Sequence, residues 1–191
     1  MKIYFVTSNT FKATEVTAYF EKAAIQQRFN IELCIVNASV QEILHADIEV
    51  IVKKKALEAY GYFGAPCLVE HGGIFMDALP GLPGGIGQII WNAVGDRICS
   101  FLGDQDPRGA VAKSIVGYCD GKRVRTYIGE TRGQITKAAR GAYKFNWDPI
   151  FIPDGSDLTY GEMGPEKKQA TSQSLKAWQA FLKAEFNSDL R

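Results

Sequence analysis

The spacing of apolar residues in the first half of the chain alternates between two periods. Short apolar runs predict buried strands, and each run leads into a stretch where apolar positions recur every three or four residues, as in an amphipathic helix. The predicted elements, in order, are a strand at 2–6 (KIYFV), a helix from about Phe11 to Arg28, a strand at 31–36 (IELCIV), a helix capped by Asp47 and extending to about Tyr62, a strand at 67–70 (CLVE) and a helix from about Ile86 to Phe101.

In the second half of the chain, the segments that predict strands become longer. Residues 112–119 (AKSIVGYC) and 123–135 (RVRTYIGETRGQI) predict two strands, and the turn CDGK between them is typical of a β-hairpin. A loop over 139–157 precedes a last helix from about Ser172 to Phe186. This order predicts a mixed α/β fold in a single domain over 1–191, with αβ units first and an antiparallel segment second.

Composition narrows the class of protein. The chain has 191 residues, 46% of them hydrophobic, and a formal net charge of +1, so it can bury a core but has no global basic field for duplex nucleic acid. Its cysteines (Cys34, Cys67, Cys99 and Cys119) are far apart, which predicts reduced thiols rather than a zinc site or a redox pair. No apolar run is long enough for a signal peptide or a membrane span, so a cytoplasmic protein without a membrane partner is expected.

Two polar segments are candidate phosphate sites. The turn after the first strand contains Thr7, Ser8 and Asn9, and its backbone N–H groups lie at the positive end of the following helix, near Lys12. An ordinary N-cap with a solvated lysine explains the same residues. The lysines at 53–55 likewise fit either an anion site or a charged helix face that shields an apolar stripe.

Acidic and aromatic residues are candidates for metal ligands and for contacts with a nucleobase. Glu42 and Glu70 are surface acids by default, and only convergence in the fold would make them Mg²⁺ ligands. The segment FNWDP at 145–149 offers aromatic faces and a carboxylate that can hold a nucleobase, although core aromatics beside an Asx-type turn explain it equally well. Lysines before Ser172, a good N-cap residue, fit either anion binding or a plain capped helix.

Taken in order, these segments resemble the inosine triphosphate pyrophosphatase family, also called the HAM1 family. The resemblance runs from Lys2 to about Trp178, and its most specific parts are DALPGLPG and FNWDPIFIPDG followed by TYGEM. The segments that carry it are TSNTFKATEV, Glu42, Lys54, LVEHGGIFMDALPGLPG, FNWDPIFIPDGSDLTYGEM and EKKQATSQSLKAW.

The resemblance implies an elongated α/β fold with a long central mixed β-sheet, two lobes and a nucleotide cleft between them, usually in a homodimer. It also implies Mg²⁺-dependent hydrolysis of inosine, xanthosine and their deoxy triphosphates to the monophosphate and pyrophosphate. The positions that match the nucleotide site are Thr7, Ser8, Asn9, Lys12, Lys54, Phe145, Trp147, Asp148, Lys168 and Gln173, with Glu42 and Glu70 at the acidic metal positions.

Several residues depart from the family pattern within the candidate site. His71 stands where the family has an aspartate that binds metal and helps to activate water. A nitrogen donor is disfavoured by Mg²⁺, so weakened metal binding is expected. The family's TGN turn is TSN here, Phe11 and Gln88 stand where lysines are expected, and Gln173-Ser174 replace a His-Arg pair that contacts the base.

These departures favour a catalytically impaired protein that keeps its triphosphate site. On this hypothesis the chain binds a purine nucleoside triphosphate such as dITP or ITP and serves as a nucleotide-sensing subunit, because a ligand destroyed on contact cannot hold a conformational state. A homodimer, a separate effector protein and a role in antiviral defence fit this hypothesis. The alternative is an active pyrophosphatase with altered base preference, in which His71 acts as a repositioned base, and a third interpretation is a purely structural subunit.

Overall fold

A mixed β-sheet organises the protein. The structure, a computed structural model, describes residues 1–142 and 146–186. Within these residues, six strands pair in the order β2-β1-β3-β4-β5-β6. The first strand is parallel to the second and third, whereas the remaining neighbours are antiparallel. The bounds are β1 Lys2–Val6, β2 Glu32–Val36, β3 Cys67–Met76, β4 Gly109–Cys119, β5 Val124–Ile135 and β6 Phe151–Pro153. The predicted mixed α/β fold and its β4–β5 hairpin are therefore confirmed.

Helices connect and cover the strands. Two of them are shorter than predicted: the first breaks at Ala24, whose φ of 47° is left-handed, and the helix after the Gly/Pro loop gives way to a 3-10 helix at Gly95–Phe101. The bounds are α1 Thr10–Lys22, α2 Ile25–Phe29, α3 Ile48–Phe63, α4 Gly87–Val94, α5 Tyr160–Thr171 and α6 Gln173–Phe186.

The two faces of the sheet bury different helices. Because side chains alternate along a strand, Phe5 of β1 and Leu68 of β3 point to the face covered by α1 and α6, where Trp178 is fully buried. Val6 and Val69 point to the opposite face, which α3 covers. The strand pleat thus decides which helix each residue of β3 meets.

The third strand is longer than the sequence predicted, and this changes the site. It extends through Met76, so Glu70 and His71 lie inside a regular strand rather than at the start of a glycine-rich loop. The glycines that suggested a loop allow a close approach, since a Cβ on Gly73 would overlap the Gly84 carbonyl. Glu70 and His71 therefore point to opposite faces of the sheet.

None of the helices within 1–142 and 146–186 combines the length and the apolar character that crossing a bilayer requires.

Candidate active site

The carboxyl end of β1 and the start of α1 border a polar pocket of about 490 Å³. Asn9 caps α1, because its Oδ1 accepts a hydrogen bond from the Lys12 N–H at 3.1 Å. Its own N–H donates to Thr7 Oγ1 at 3.1 Å. The turn is thus an ordinary N-cap and also a wall of the pocket. Predicted site residues that line it are Thr7, Ser8, Asn9, Lys12, Glu42, Glu70 and His71.

Adjacent lysines of α3 have different environments. The side chain of Lys54 is 51% exposed, and its Nζ forms an ion pair with Glu58 at 2.9 Å. Lys55 is buried, lines the pocket and bonds to Glu42 Oε1. Burial lowers the pKa of Lys55 despite the attraction of Glu42. Lys54 does not line the pocket, because the helical period places Lys55 on the buried stripe and Lys54 outside it. The geometry therefore favours Lys55 over the predicted Lys54 for contact with a triphosphate.

Glu42 and His71 meet at the α3 side of the pocket. His71 Nδ1 lies 3.6 Å from Glu42 Oε2, and its Nε2 lies 3.0 Å from the carbonyl oxygen of Gly85. Burial, together with the charge of Lys12, lowers the pKa of His71 to about 4. Burial opposes the charge of Glu42, but the attraction and hydrogen bond of Lys55, together with the charge of Lys12, outweigh it and lower the pKa of that carboxyl. At neutral pH the pair is therefore a carboxylate beside a neutral imidazole.

Glu70 occupies the opposite face of β3 and is almost fully buried. Its Oε1 accepts a hydrogen bond from Ser114 Oγ at 2.6 Å and lies 3.4 Å from Lys12 Nζ, while its Oε2 accepts one from Trp178 Nε1 at 3.0 Å. Burial disfavours its charge, but Lys12 and these donors lower its pKa. Because its oxygens already have donors, Glu70 fits a residue that holds Lys12 in place better than the predicted metal ligand.

A second, smaller pocket of about 40 Å³ adjoins the first. Both are lined by Lys12, Glu70, Gly72 and Asn146, so they form one continuous cleft. We call the part around Glu42 and His71 the phosphate end, and the smaller part the base end.

A buried ion pair closes the base end. Lys168 Nζ lies 2.8 Å from Asp148 Oδ2 and 3.0 Å from Glu15 Oε1. Burial opposes the charge of Lys168, but the attraction of Asp148 and Glu15 outweighs it and raises its pKa. Trp147 lines the base end and also packs edge-on against Phe151 at 5.9 Å. The alternative of a core aromatic therefore holds for Trp147, and its contact with a nucleobase stays a prediction. Lys168 therefore stays protonated.

Gln173, the first residue of α6, is the other predicted residue at the base end. It is 6% exposed, and among the described residues no hydrogen-bond partner is present for its Oε1. A buried acceptor without a partner is costly, so this atom is a natural contact for a ligand. Phe145, predicted to stack on the base, lies outside the described residues.

Glu15, Lys55 and Ser114 contribute to the cleft, and none of them was singled out from the sequence. Glu15 lies one helical turn after Lys12, so the i, i+3 spacing on α1 could have placed it on the same face. Lys55 could have been found from the apolar stripe of α3. No sequence signal pointed to Ser114, which reaches Glu70 only because β4 pairs with β3.

A third cavity, of about 380 Å³, lies beside the base end between α1, α5 and α6. Phe11, Tyr19 and Leu175 give it an apolar lining, and it meets the base end at Glu15 and Ser174. Glu15 and Glu166 are among the described residues that line it, and lysine and arginine are not, so this cavity does not suit a triphosphate.

The donor set for a metal is small. Within 1–142 and 146–186, no group of three or more His, Cys, Asp and Glu side chains is placed to hold an ion. Glu42 and His71 form a pair that fits a divalent cation only if a bound phosphate or water completes its coordination.

Comparison with known proteins gives consistent matches. The model of the Ham1 family matches residues 3–184. A dITP/XTP pyrophosphatase of Methanopyrus kandleri is 36% identical over 183 residues, covering 95% of this chain and 94% of the relative. One from Pyrococcus horikoshii is 34% identical and covers 95% of both chains.

Solved structures agree on the fold. A nucleoside-triphosphatase / dITP/XTP pyrophosphatase from Mycobacterium abscessus is 26% identical, with a TM-score of 0.72 over 100% of both chains. A HAM1 protein from Coxiella burnetii has a TM-score of 0.80 over 98% of this chain and 100% of its own, and at 20% identity it supports the fold alone.

These matches correct one expectation. His71 and the other departures from the family pattern favour a catalytically impaired protein. Relatives that are 31–36% identical over nearly the whole chain are named dITP/XTP pyrophosphatases, which points to an active enzyme. One changed residue is weaker evidence than similarity of that extent.

Proposed function

The chain belongs to the Ham1 family, and we propose that it is an active pyrophosphatase that cleaves a deaminated purine triphosphate, such as dITP or XTP, to the monophosphate and pyrophosphate. The observation that carries this proposal is the continuous cleft, whose two ends have different chemistry. Cationic side chains and the α1 turn line the phosphate end, whereas a buried amide and an indole line the base end.

The phosphate end neutralises charge. Lys12 and Lys55 are both directed into the pocket, and the start of α1 adds the positive end of a helix dipole. Because Lys12 lines both ends of the cleft, it lies where the phosphate nearest the nucleoside would be. Glu70 holds this lysine in place through an ion pair.

Two acceptor atoms face the phosphate end from the α3 side, Glu42 Oε2 and His71 Nδ1. Each can take a proton from water or hold a cation. A divalent cation bound there would supply charge neutralisation and a more acidic water. Lys55 holds the other oxygen of Glu42 and so fixes the orientation of the carboxylate.

The base end supports a preference for 6-oxopurines. Gln173 Oε1 needs a donor, and hypoxanthine and xanthine carry a hydrogen on N1, which adenine lacks. A site built to hydrogen-bond such a group rejects a base without it, because the amide would then stay unpaired.

The test is a panel of triphosphates (dITP, XTP, dGTP and dATP) incubated with the full chain, with separate detection of pyrophosphate and phosphate. We expect pyrophosphate and the monophosphate from dITP or XTP, and much slower release from dATP. Lys12→Ala serves as the control for contaminating hydrolases, with a loss of about 10²–10³ in kcat if it keeps its thermal stability. Absence of pyrophosphate across the panel would contradict the proposal, as would stepwise release of phosphate.

The more specific parts of the sequence hypothesis stay predictions. Cytoplasmic location, a homodimer, and sensing for an effector protein in defence have no further support in the structure or in the relatives.

A further inference from the structure

The histidine at the phosphate end has a defined tautomer. Its Nε2 lies 3.0 Å from the Gly85 carbonyl, an atom that can only accept a hydrogen bond. Nε2 therefore carries the ring proton, and Nδ1, 3.6 Å from Glu42 Oε2, keeps its lone pair. Histidines that bind metals almost always donate their other N–H to a carbonyl or carboxylate in this way.

The distance between the two acceptors suits a shared ion. Imidazole nitrogen and carboxylate oxygen bind divalent transition ions at about 2.0–2.2 Å, so two ligands at roughly 90–110° around one ion lie about 3.0–3.5 Å apart. His71 Nδ1 and Glu42 Oε2 are 3.6 Å apart. Neither side chain needs a large movement to bind the same ion.

The chemistry of the pair does not suit Mg²⁺. That ion takes oxygen ligands almost exclusively, whereas imidazole favours later first-row ions. Lys55 donates to Glu42 Oε1, so Oε2 is the carboxylate oxygen that remains to share an ion with His71. Glu70 Oε1 could have supplied a further oxygen ligand for Mg²⁺. It accepts a hydrogen bond from Ser114 instead and lies on the other face of β3.

We propose that Glu42 Oε2 and His71 Nδ1 bind one divalent first-row transition ion, with Co²⁺, Mn²⁺ or Zn²⁺ preferred over Mg²⁺. This inference rests on the proposed function, since triphosphate oxygens and water complete the coordination. It deepens that function by naming the cation that the altered site selects.

The test measures binding directly. Full-length protein is titrated with CoCl₂ and separately with MgCl₂, alone and with a non-hydrolysable α,β-imido analogue of dITP. Binding is followed in every titration and every variant by calorimetry, and in the Co²⁺ titration of wild type also by the paramagnetic shift of the His71 ring protons. The chain has two histidines, and His45 is exposed, with Nδ1 accepting a hydrogen bond from the Asp47 N–H, so its resonances are an internal control.

Matched variants separate the outcomes. We expect His71→Ala to lose at least about 10-fold in Co²⁺ affinity, and His45→Ala to lose none. His71→Asp should gain affinity for Mg²⁺ and lose the preference for Co²⁺. A Cys34→Ser background removes binding by the half-buried thiol.

The inference is overturned if wild type and His71→Ala bind Co²⁺ equally. It is also overturned if the His71 resonances of wild type do not shift with Co²⁺, either alone or with the nucleotide analogue. Its failure is distinguishable from failure of the proposed function. Pyrophosphate release with Mg²⁺ and no Co²⁺ preference removes only the metal inference, whereas Co²⁺ binding without any hydrolysis removes only the enzyme.

Discussion

Neighbouring residues in this cleft have opposite roles because of backbone geometry. Glu70 and His71 are consecutive, yet the pleat of β3 sends one toward α6 and the other toward α3. Lys54 and Lys55 are also consecutive, and the turn of α3 exposes one and buries the other. A one-residue error in a sequence match is therefore enough to assign the wrong side chain.

The lysine pair on α3 gives a direct test of this geometry. Lys55→Ala removes a buried cation from the phosphate end, so we expect kcat/KM for dITP to fall by about 10²–10³. Lys54→Ala removes only a surface ion pair, which contributes a few tenths of a kcal/mol, and activity should stay unchanged. Steady-state kinetics with pyrophosphate detection, together with melting curves of both variants, decides between them. Equal losses in the two variants would place both lysines at the substrate and contradict the assignment.

At the residue level, many side chains of the candidate site could be predicted from the sequence. Thr7, Asn9 and Lys12 follow from a strand-to-helix turn, and Glu42 and His71 from the resemblance to a known family. The rest depends on pairing between distant segments. No local pattern shows that the Glu70 carboxylate accepts hydrogen bonds from Ser114 and Trp178.

Among the elements, the strands that alternate cleanly or follow a turn signal were predicted well, and the irregular ones were not. The predicted bounds of the β4 and β5 hairpin agree with the structure to within three residues at each strand end. The helix α5 was missed because Gly164 and Pro165 interrupt its pattern, although Thr159 and Glu162 form a capping box that marks its start. The extension of β3 was missed because its glycines are typical of a loop.

The position of α6 on the sheet sets the base end, because this helix carries both Gln173 and Ser174. A Cβ on Gly129 of β5 would overlap the Gln173 carbonyl and the Ala177 nitrogen of α6. Only glycine lets the helix backbone come this close to the strand.

Gly129→Ala should therefore push α6 from the sheet. We expect a loss of about 1–3 kcal/mol or more in the free energy of unfolding, measured by urea denaturation, and a rise in KM for dITP. Gly61→Ala on α3 is the matched control: nothing lies within 4 Å of the added Cβ, so the helix should gain about 0.5–1 kcal/mol. If Gly129→Ala were as stable as wild type, the close packing of α6 on β5 would not be what positions the base end.

For the molecule as a whole, the buried cleft couples stability to pH. Burial and Lys12 lower the pKa of His71 from 6.5 to about 4 in the folded protein. Between these values the unfolded chain binds a proton that the folded chain does not, so acid favours unfolding. The stabilising contribution is complete above pH 6.5 and disappears as the pH falls through the folded pKa, with a limit on the order of 3 kcal/mol.

Asp148 acts in the opposite direction, because burial raises its pKa to about 7 and its folded form binds a proton first. A comparison between wild type and a His71 variant is therefore needed to separate the contribution of His71 from that of Asp148. We expect the free energy of unfolding of wild type, measured in urea at pH 7.0, 6.0 and 5.0, to fall more steeply with acid than that of His71→Asn, while His45→Asn follows wild type. Parallel curves for wild type and His71→Asn would show that this imidazole is as accessible to protons in the folded protein as in the unfolded chain.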